Sequence, residues 1–130
     1  MKKEEKRAEL KKLPDGELEV MQAVWACKGA VTRKKIEDVL FEDHKMAATT
    51  LLTFLSRLAD KGYIEVKKDE REYRYKAIVS RREYLADQSR RFVGKLCGGS
   101  MPTFAAALCD SGLSKEEIKE LRKLLKEKGE

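Results

Sequence analysis

The 130-residue sequence predicts a mainly helical protein with one small β hairpin. Three observations support this fold class. Apolar residues recur every three or four positions through most of the chain, which is typical of amphipathic helices. A period of two replaces that pattern only between Tyr63 and Ala77, as expected for two strands. Two later segments begin with Ser-x-x-Glu, at Ser80 and Ser114, a pattern that opens helices.

A charged arm and two helices come first. Residues 1–12 carry six basic and three acidic side chains and little apolar content, so we predict a flexible basic arm. The first helix follows Leu13-Pro14-Asp15-Gly16 and ends near Gly29, since glycine commonly follows a helix C-terminus. Thr32 is placed to cap a second helix that extends to about Glu42. The apolar stripes of these helices are Leu18, Met21, Val24 and Trp25, and then Ile36, Val39 and Leu40.

The segment from Met46 to Lys61 has the pattern of a helix with one apolar face and other faces that carry small or polar side chains. Its apolar side chains recur at helical spacing and predict a buried stripe. These side chains are Leu51, Phe54, Leu55 and Leu58. Other faces near its N-terminal end carry alanine and threonine, whose short side chains can approach base edges and phosphates closely. Gly62 is well placed to end this helix.

Two strands and a tight turn are predicted next. Residues 63–68 and 72–77 alternate as strands with one buried face, and Asp69-Glu70-Arg71 can form the turn between them. Tyr73 and Tyr75 share one strand face, and we expect both to pack on the core.

Three helices followed by a hairpin predict a winged helix-turn-helix domain over residues 13–79. In such a domain the third helix lies in the major groove and the hairpin, or wing, can touch the adjacent DNA backbone. Arg71 at the hairpin tip is the best wing candidate. Arg57 can reach a phosphate, or it can pair with Asp60 or Glu65.

Residues 80–130 are predicted to form three further helices. Gly98-Gly99 separate the first from a short helix capped by Ser100. A piece this small buries too little surface to be stable alone easily. Its apolar stripes either fold back on the winged domain or meet the same stripes of a second copy, and we favour a dimerisation region. The residues assigned to it are Leu85, Phe92, Leu96, Phe104, Leu108, Ile118, Leu121 and Leu125.

Composition favours a polyanionic partner and argues against catalysis. The chain has 29 Lys and Arg against 23 Asp and Glu, a net charge of +6. Its one histidine, His44, and its three separated cysteines show no metal-ligand spacing. There is no Gly-rich phosphate loop and no nucleophile with a base, so we expect no enzyme activity, catalytic residue, metal or cofactor. Without a long apolar run or a signal-peptide core, the protein is expected to be cytoplasmic.

Several stretches resemble one family of repressors. They are Leu18-Glu-Val-Met-Gln-Ala-Val-Trp25, Thr49-Thr50-Leu-Leu-Thr-Phe-Leu-Ser-Arg-Leu58, Lys61-Gly-Tyr-Ile64, Arg74-Tyr75 and Leu113-Ser-Lys-Glu-Glu-Ile-Lys-Glu-Leu121. In this order they make the chain, from about Leu13 to Lys128, similar to the penicillinase and methicillin-resistance repressor family, which also includes copper-responsive repressors. The resemblance implies a dimeric winged-helix repressor that binds double-stranded operator DNA and blocks transcription.

The resemblance also implies which residues contact DNA. The family's base- and phosphate-contacting positions in the third helix fall on Ala48, Thr49, Thr50 and Thr53, and its wing contacts fall near Arg71. The alternative is that the threonines are simply the solvent face of the helix. Threonine is a mediocre helix former, and Glu or Lys would serve an exposed face better, so three threonines in five positions favour a DNA-binding surface.

The trigger that releases the repressor stays open. In the antibiotic-responsive members a membrane sensor-protease pathway leads to cleavage at an Asn-Phe bond, and the matching positions here are Ala107 and Leu108. In the copper-responsive members two Cys-x-Cys pairs near the C-terminus bind metal, and this chain ends without them. The sequence therefore lacks the residues that either known trigger uses at these positions.

Two other functions remain open. The first is a thiol- or metal-responsive sensor in which Cys97 and Cys109, on either side of Gly98-Gly99, report the signal. The second is a winged helix that binds a protein through its third helix. That use favours exposed apolar or aromatic anchors, whereas this helix offers threonine and alanine.

Overall fold

Six helices and three strands follow one another in this computed structural model, which describes residues 10–40 and 46–129. The helices are α1 (Asp15–Ala26), α2 (Arg33–Leu40), α3 (Ala48–Asp60), α4 (Arg81–Leu96), α5 (Met101–Asp110) and α6 (Lys115–Lys128). The strands are β1 (Val31–Thr32), β2 (Ile64–Asp69) and β3 (Glu72–Ala77). Most of the predicted basic arm, and the turn that contains His44, lie outside the described residues. The described part forms two compact units, which divide between Gln88 and Ser89.

The core of the first unit forms where α1, α2 and α3 bring their apolar stripes together. Met21, Ile36 and Leu51 have no exposed surface, and they come from the three different helices. Fully burying a side chain of this size contributes about 1.5–3 kcal/mol. Gly62 follows α3 with a φ of 82°, a left-handed conformation that turns the chain towards β2 as predicted. The helical order and the hairpin are thus confirmed.

The predicted hairpin is part of a three-stranded antiparallel sheet, with strand order β1-β3-β2. Strand β1 pairs with β3 through Val31 opposite Tyr75 and Thr32 opposite Arg74. It was absent from the sequence-based expectation because two residues cannot show a period of two. It is recognisable only from its pairing with a strand more than 40 residues later.

An aromatic cluster ties the start of α4 to the first unit. The Tyr84 ring lies 5.7 Å from the Trp25 ring and 5.8 Å from the Tyr63 ring, centroid to centroid. The Leu13 backbone N–H donates a hydrogen bond to the Tyr84 hydroxyl at 2.9 Å, and the Trp25 indole N–H donates to the Val79 carbonyl at 2.9 Å. The first turn of α4 therefore packs on the winged domain.

The second unit contains the rest of α4, α5 and α6. Gly98 and Gly99 have φ values of 60° and 78°, which end α4 and reverse the chain. The Ser100 hydroxyl caps α5 by accepting from the Thr103 N–H at 3.1 Å. Ser114 forms the predicted capping box of α6. Within the described ranges, no helix is long and apolar enough to cross a membrane.

Candidate nucleic-acid interface

Helix α3 presents a polar surface opposite its buried stripe. Leu51, Leu55 and Leu58 are buried against the core, which forces the intervening positions outwards. The predicted contact residues on this helix are all exposed: Ala48, Thr49, Thr50, Thr53 and Arg57. The first three lie in the first turn, and Arg57 lies two turns after Thr50 on the same face. The structure thus brings Thr49, Thr50, Thr53 and Arg57 together on one accessible side of α3. Ala48 is exposed at the start of the helix, but it lies seven residues before Leu55, on the side of the buried stripe.

The threonine hydroxyls are not equivalent. Thr53 Oγ1 donates a hydrogen bond to the Thr49 carbonyl at 2.9 Å, so its proton is already used. Among the described residues, the Thr49 and Thr50 hydroxyls have no hydrogen-bond partner. These two groups can both donate and accept, whereas Thr53 offers acceptor lone pairs and a methyl group.

Arg57 also has no ion-pair partner among the residues that the structure describes. Sequence alone allowed a pair with Asp60 or Glu65, but within the described ranges Arg57 forms no ion pair. Its guanidinium group is therefore available for an external anion, such as a DNA phosphate.

Helix α3 is fixed on the core by a buried ion pair at its C-terminal end. The Glu17 side chain on α1 is only 3% exposed, and its Oε1 lies 2.5 Å from Lys61 Nζ. A Cβ atom at Gly16 would lie 2.6 Å from Phe54 Cζ, so a glycine allows this close approach of α1 and α3. Both contacts set the position of α3, and neither was predicted, because the partners are far apart in sequence.

Most cations on the outer face of the hairpin are paired with acids. Arg74 Nε lies 3.3 Å from Asp69 Oδ2, and Lys67 Nζ lies 3.7 Å from Glu65 Oε1. In contrast, Arg71 at the exposed tip forms no ion pair with any described residue. The tip cation can therefore meet a phosphate without first breaking an ion pair.

The inner face of the hairpin extends beyond the core. Tyr75 is buried, and burial is the main reason its pKa is raised. Tyr73, two residues nearer the tip, is 54% exposed, so the prediction that it packs on the core was wrong. The hairpin therefore extends past the core between Tyr75 and Tyr73.

Lys68 lies over this exposed ring. Its Nζ is 5.7 Å from the Tyr73 ring centroid, and the two residues are direct partners across β2 and β3. Val66, 38% exposed, continues the same face. Sequence reasoning did not single out Lys68, although the period of two places it on the face of Tyr73. We name Val66, Lys68 and Tyr73 the inner wing patch.

The cysteines are dispersed. Cys97 is buried, Cys109 is exposed and Cys27 is half-buried. No group of three or more His, Cys, Asp or Glu side chains within residues 10–40 and 46–129 could hold a metal ion. A thiol response through Cys97 and Cys109 stays an untested prediction.

Comparison with known proteins identifies the family. The profile of the Penicillinase repressor family matches residues 13–127. The chain belongs to this family. The penicillinase repressor of Bacillus licheniformis is 30% identical over 122 residues, which cover 91% of this chain and 94% of that protein. The methicillin resistance regulatory protein MecI of Staphylococcus aureus strain N315 is 29% identical over 117 residues, 89% of this chain and 94% of MecI.

A solved structure supports the same conclusion for the winged domain. The solution structure of the DNA binding domain of the repressor BlaI superposes with a TM-score of 0.51 and 25% identity, over 58% of this chain and 90% of that domain. This penicillinase repressor family member is a winged-helix transcriptional repressor that binds operator DNA, and it is not an enzyme. The predicted fold class and function are thereby confirmed.

Proposed function

We propose that the repressor recognises its operator with the exposed side of α3 and holds its register with the wing. Thr49 and Thr50, at the N-terminal end of α3, contact base edges or the nearest phosphates through their unpartnered hydroxyls. Thr53 accepts a hydrogen bond, and Ala48 allows close approach because its side chain is a single methyl group. Arg57 contacts a phosphate about two turns further along the helix. The observation that carries the proposal is the pair of unpartnered hydroxyls on an exposed helix.

The wing contributes two cations to this proposal. Arg71 neutralises a phosphate at the tip, and Lys68 contacts the backbone from the inner wing patch. Tyr73 restricts Lys68 to one side of the hairpin, so less side-chain entropy is lost on binding. These residues carry no base specificity, since a phosphate contact fixes position rather than sequence.

We further propose that two copies associate through residues 80–130 while residues 13–79 bind DNA. Leu85, Phe92, Leu96, Leu121 and Leu125 are exposed, as expected for side chains that a partner covers. Phe104, Leu108 and Ile118 are half-buried, and the Phe92 and Phe104 rings pack edge to face at 5.8 Å. Met101 and Leu124, at 60% and 54% exposed, extend the apolar surface beyond the predicted set.

The energy of such an interface is sufficient. Each apolar side chain that is fully buried contributes about 1.5–3 kcal/mol, so several per copy offset an association cost of about 4–15 kcal/mol. A two-fold dimer presents two α3 helices to two half-sites, which matches a palindromic operator. A sensor-protease route of release stays a prediction from family likeness, and Ala107 and Leu108 lie within α5.

The test is a binding assay with the full chain and the DNA upstream of its own gene, at several salt concentrations. We expect preference for that DNA over random sequence, and an affinity that falls by about 0.9 log units per log unit of salt for each phosphate neutralised. A duplex with two half-sites should bind more tightly than one with a single half-site. Equal affinity for operator and random DNA would instead favour a protein partner for α3.

A further inference from the structure

A cleft of about 330 Å³ opens on the first unit, away from the residues assigned to DNA. Its walls are the end of α1, the end of β3 and the first residues of α4. This volume is at the lower end of the range of small-molecule sites. The side chains that define it are Trp25, Cys27, Lys76, Ile78, Ser80 and Arg81.

The cleft combines an apolar wall with two cations. Trp25 is held at the wall by the hydrogen bond from its indole N–H to Val79, and Ile78 is 58% exposed beside it. Lys76 and Arg81 line the cleft, and neither forms an ion pair with a described residue. Among the described residues that line it, none is acidic. The carboxylate of Glu83, the acid nearest in sequence, accepts the Ser80 N–H at 3.0 Å in the α4 capping box.

The position of the cleft separates these cations from the DNA-binding surface. Ala77 pairs with Ile64, which follows the C-terminal end of α3, whereas Thr50 lies in the first turn, about 15 Å away along the helix axis. Lys76 is five residues from Arg71, about 16 Å along an extended strand. Lys76 and Arg81 are therefore available to an anion other than the phosphates at the proposed DNA contacts.

We propose that this cleft binds a small amphipathic anion, an aromatic carboxylate in its simplest form. The ring packs against Trp25 and Ile78, and the carboxylate lies between Lys76 and Arg81. Arg81 can bind a carboxylate with two parallel hydrogen bonds, and Lys76 adds a point charge. Such a site requires both parts of the ligand, because the apolar wall alone is small and the cations alone are solvated.

The single tryptophan makes the site directly observable. In full-length, ¹⁵N-labelled repressor the one indole N–H signal is followed during titration with benzoate, with benzamide as the uncharged ring and acetate as the charge without a ring. We expect a saturable shift with benzoate, and binding at least roughly tenfold weaker for the other two. Equal binding of benzoate and benzamide, or of benzoate and acetate, would overturn the proposal, as would no saturable shift.

Substitutions separate this site from a DNA contact. Arg81→Gln and Lys76→Gln should each weaken benzoate binding roughly tenfold, while Arg82→Gln, one residue further along α4 and outside the cleft, should leave it unchanged. Two cleft substitutions are used so that a folding defect in one does not decide the result. If both variants bind benzoate like the native chain, or if they lower the salt dependence of operator binding, the cations do not serve this ligand.

Discussion

At the scale of single residues, what distinguishes the three threonines of α3 is whether their hydroxyls are occupied. A helix residue whose hydroxyl bonds to the preceding turn has its donor already used. Thr53 is in this state, and Thr49 and Thr50 are not. We therefore expect two kinds of contribution to operator binding from one residue type: Thr49 and Thr50 can donate and accept, and Thr53 can only accept.

We expect Thr50→Ala to weaken operator binding by about 1–3 kcal/mol, and Thr53→Ala to weaken it less, because the Thr50 hydroxyl is free to donate and the Thr53 hydroxyl is not. Alanine is the better helix former, so neither change should unfold α3. Affinity is measured by fluorescence anisotropy on the operator. Thr103→Ala, an exposed threonine on α5, is the matched control and should have no effect. Thr50 is removed from the contact set if the Thr50→Ala variant binds like the native repressor.

Two residues show what the sequence did not reveal at this scale. Glu17 is charged yet buried, because it is paired with Lys61. The pair could not be predicted, because the two residues are 44 positions apart and no local pattern links them. Tyr73 has the alternation of a core residue yet is exposed, because alternation gives the face of a strand and not the extent of what lies beneath it. The threonine surface was predictable, because the buried stripe of α3 fixes which positions point outwards.

At the scale of elements, α1 and α3 are coupled through Glu17 and Lys61. We expect Lys61→Met to lower the free energy of unfolding by about 3 kcal/mol, since it leaves a carboxylate buried without its partner. This is the low end for a buried pair, because the Lys61 side chain keeps 22% exposure. Adding Glu17→Gln should recover part of the loss. Urea unfolding followed by Trp25 fluorescence measures both, with Lys35→Met as an exposed control. Additive losses in the double variant would contradict the coupling.

The two faces of the wing differ in whether their lysines are paired with acids: Lys67 lies near Glu65, and Lys68 lies over the Tyr73 ring. We expect Lys68→Gln to weaken operator binding several-fold and to lower the salt slope by about 1, because Lys68 contacts a phosphate in the proposal. Lys67→Gln removes the same charge from the adjacent position, where Nζ lies near Glu65, and it should have a smaller effect. The comparison is made by titrating the same operator at four salt concentrations. Equal effects of the two substitutions would show that only net charge matters.

The helices and the two longer strands were predictable from the sequence, and the two-residue strand β1 was not. The helices and the hairpin have periods that extend over at least six residues, and their capping residues mark the ends of α5 and α6. Strand β1 has two residues, and its existence depends on the edge that β3 offers. Local patterns therefore gave the fold class, and tertiary pairing completed the sheet.

At the scale of the whole molecule, the two units differ in how much apolar surface they cover by themselves. The first unit buries its large apolar stripes, and the side of α3 that we propose for DNA contact carries threonines and Arg57. No residue of α5 or α6 is buried, although α5 carries Phe104, Leu108 and three alanines and α6 carries Ile118 and three leucines. A small unit with this pattern is typical of chains that complete their core with a second copy.

Leu125→Gln tests that pairing, because Leu125 is 65% exposed in the single chain and its replacement costs the isolated unit little. If a partner buries Leu125, the substitution is made twice per dimer and should weaken association at least roughly tenfold. Sedimentation equilibrium measures the association, and Lys126→Gln, the next residue on α6, is the matched control. Binding to a duplex with two half-sites should fall with the dimer, while binding to a single half-site stays the same. If the Leu125→Gln variant dimerises like the native chain, the interface lies elsewhere. If its binding to a single half-site falls, the substitution acts on the DNA-binding domain.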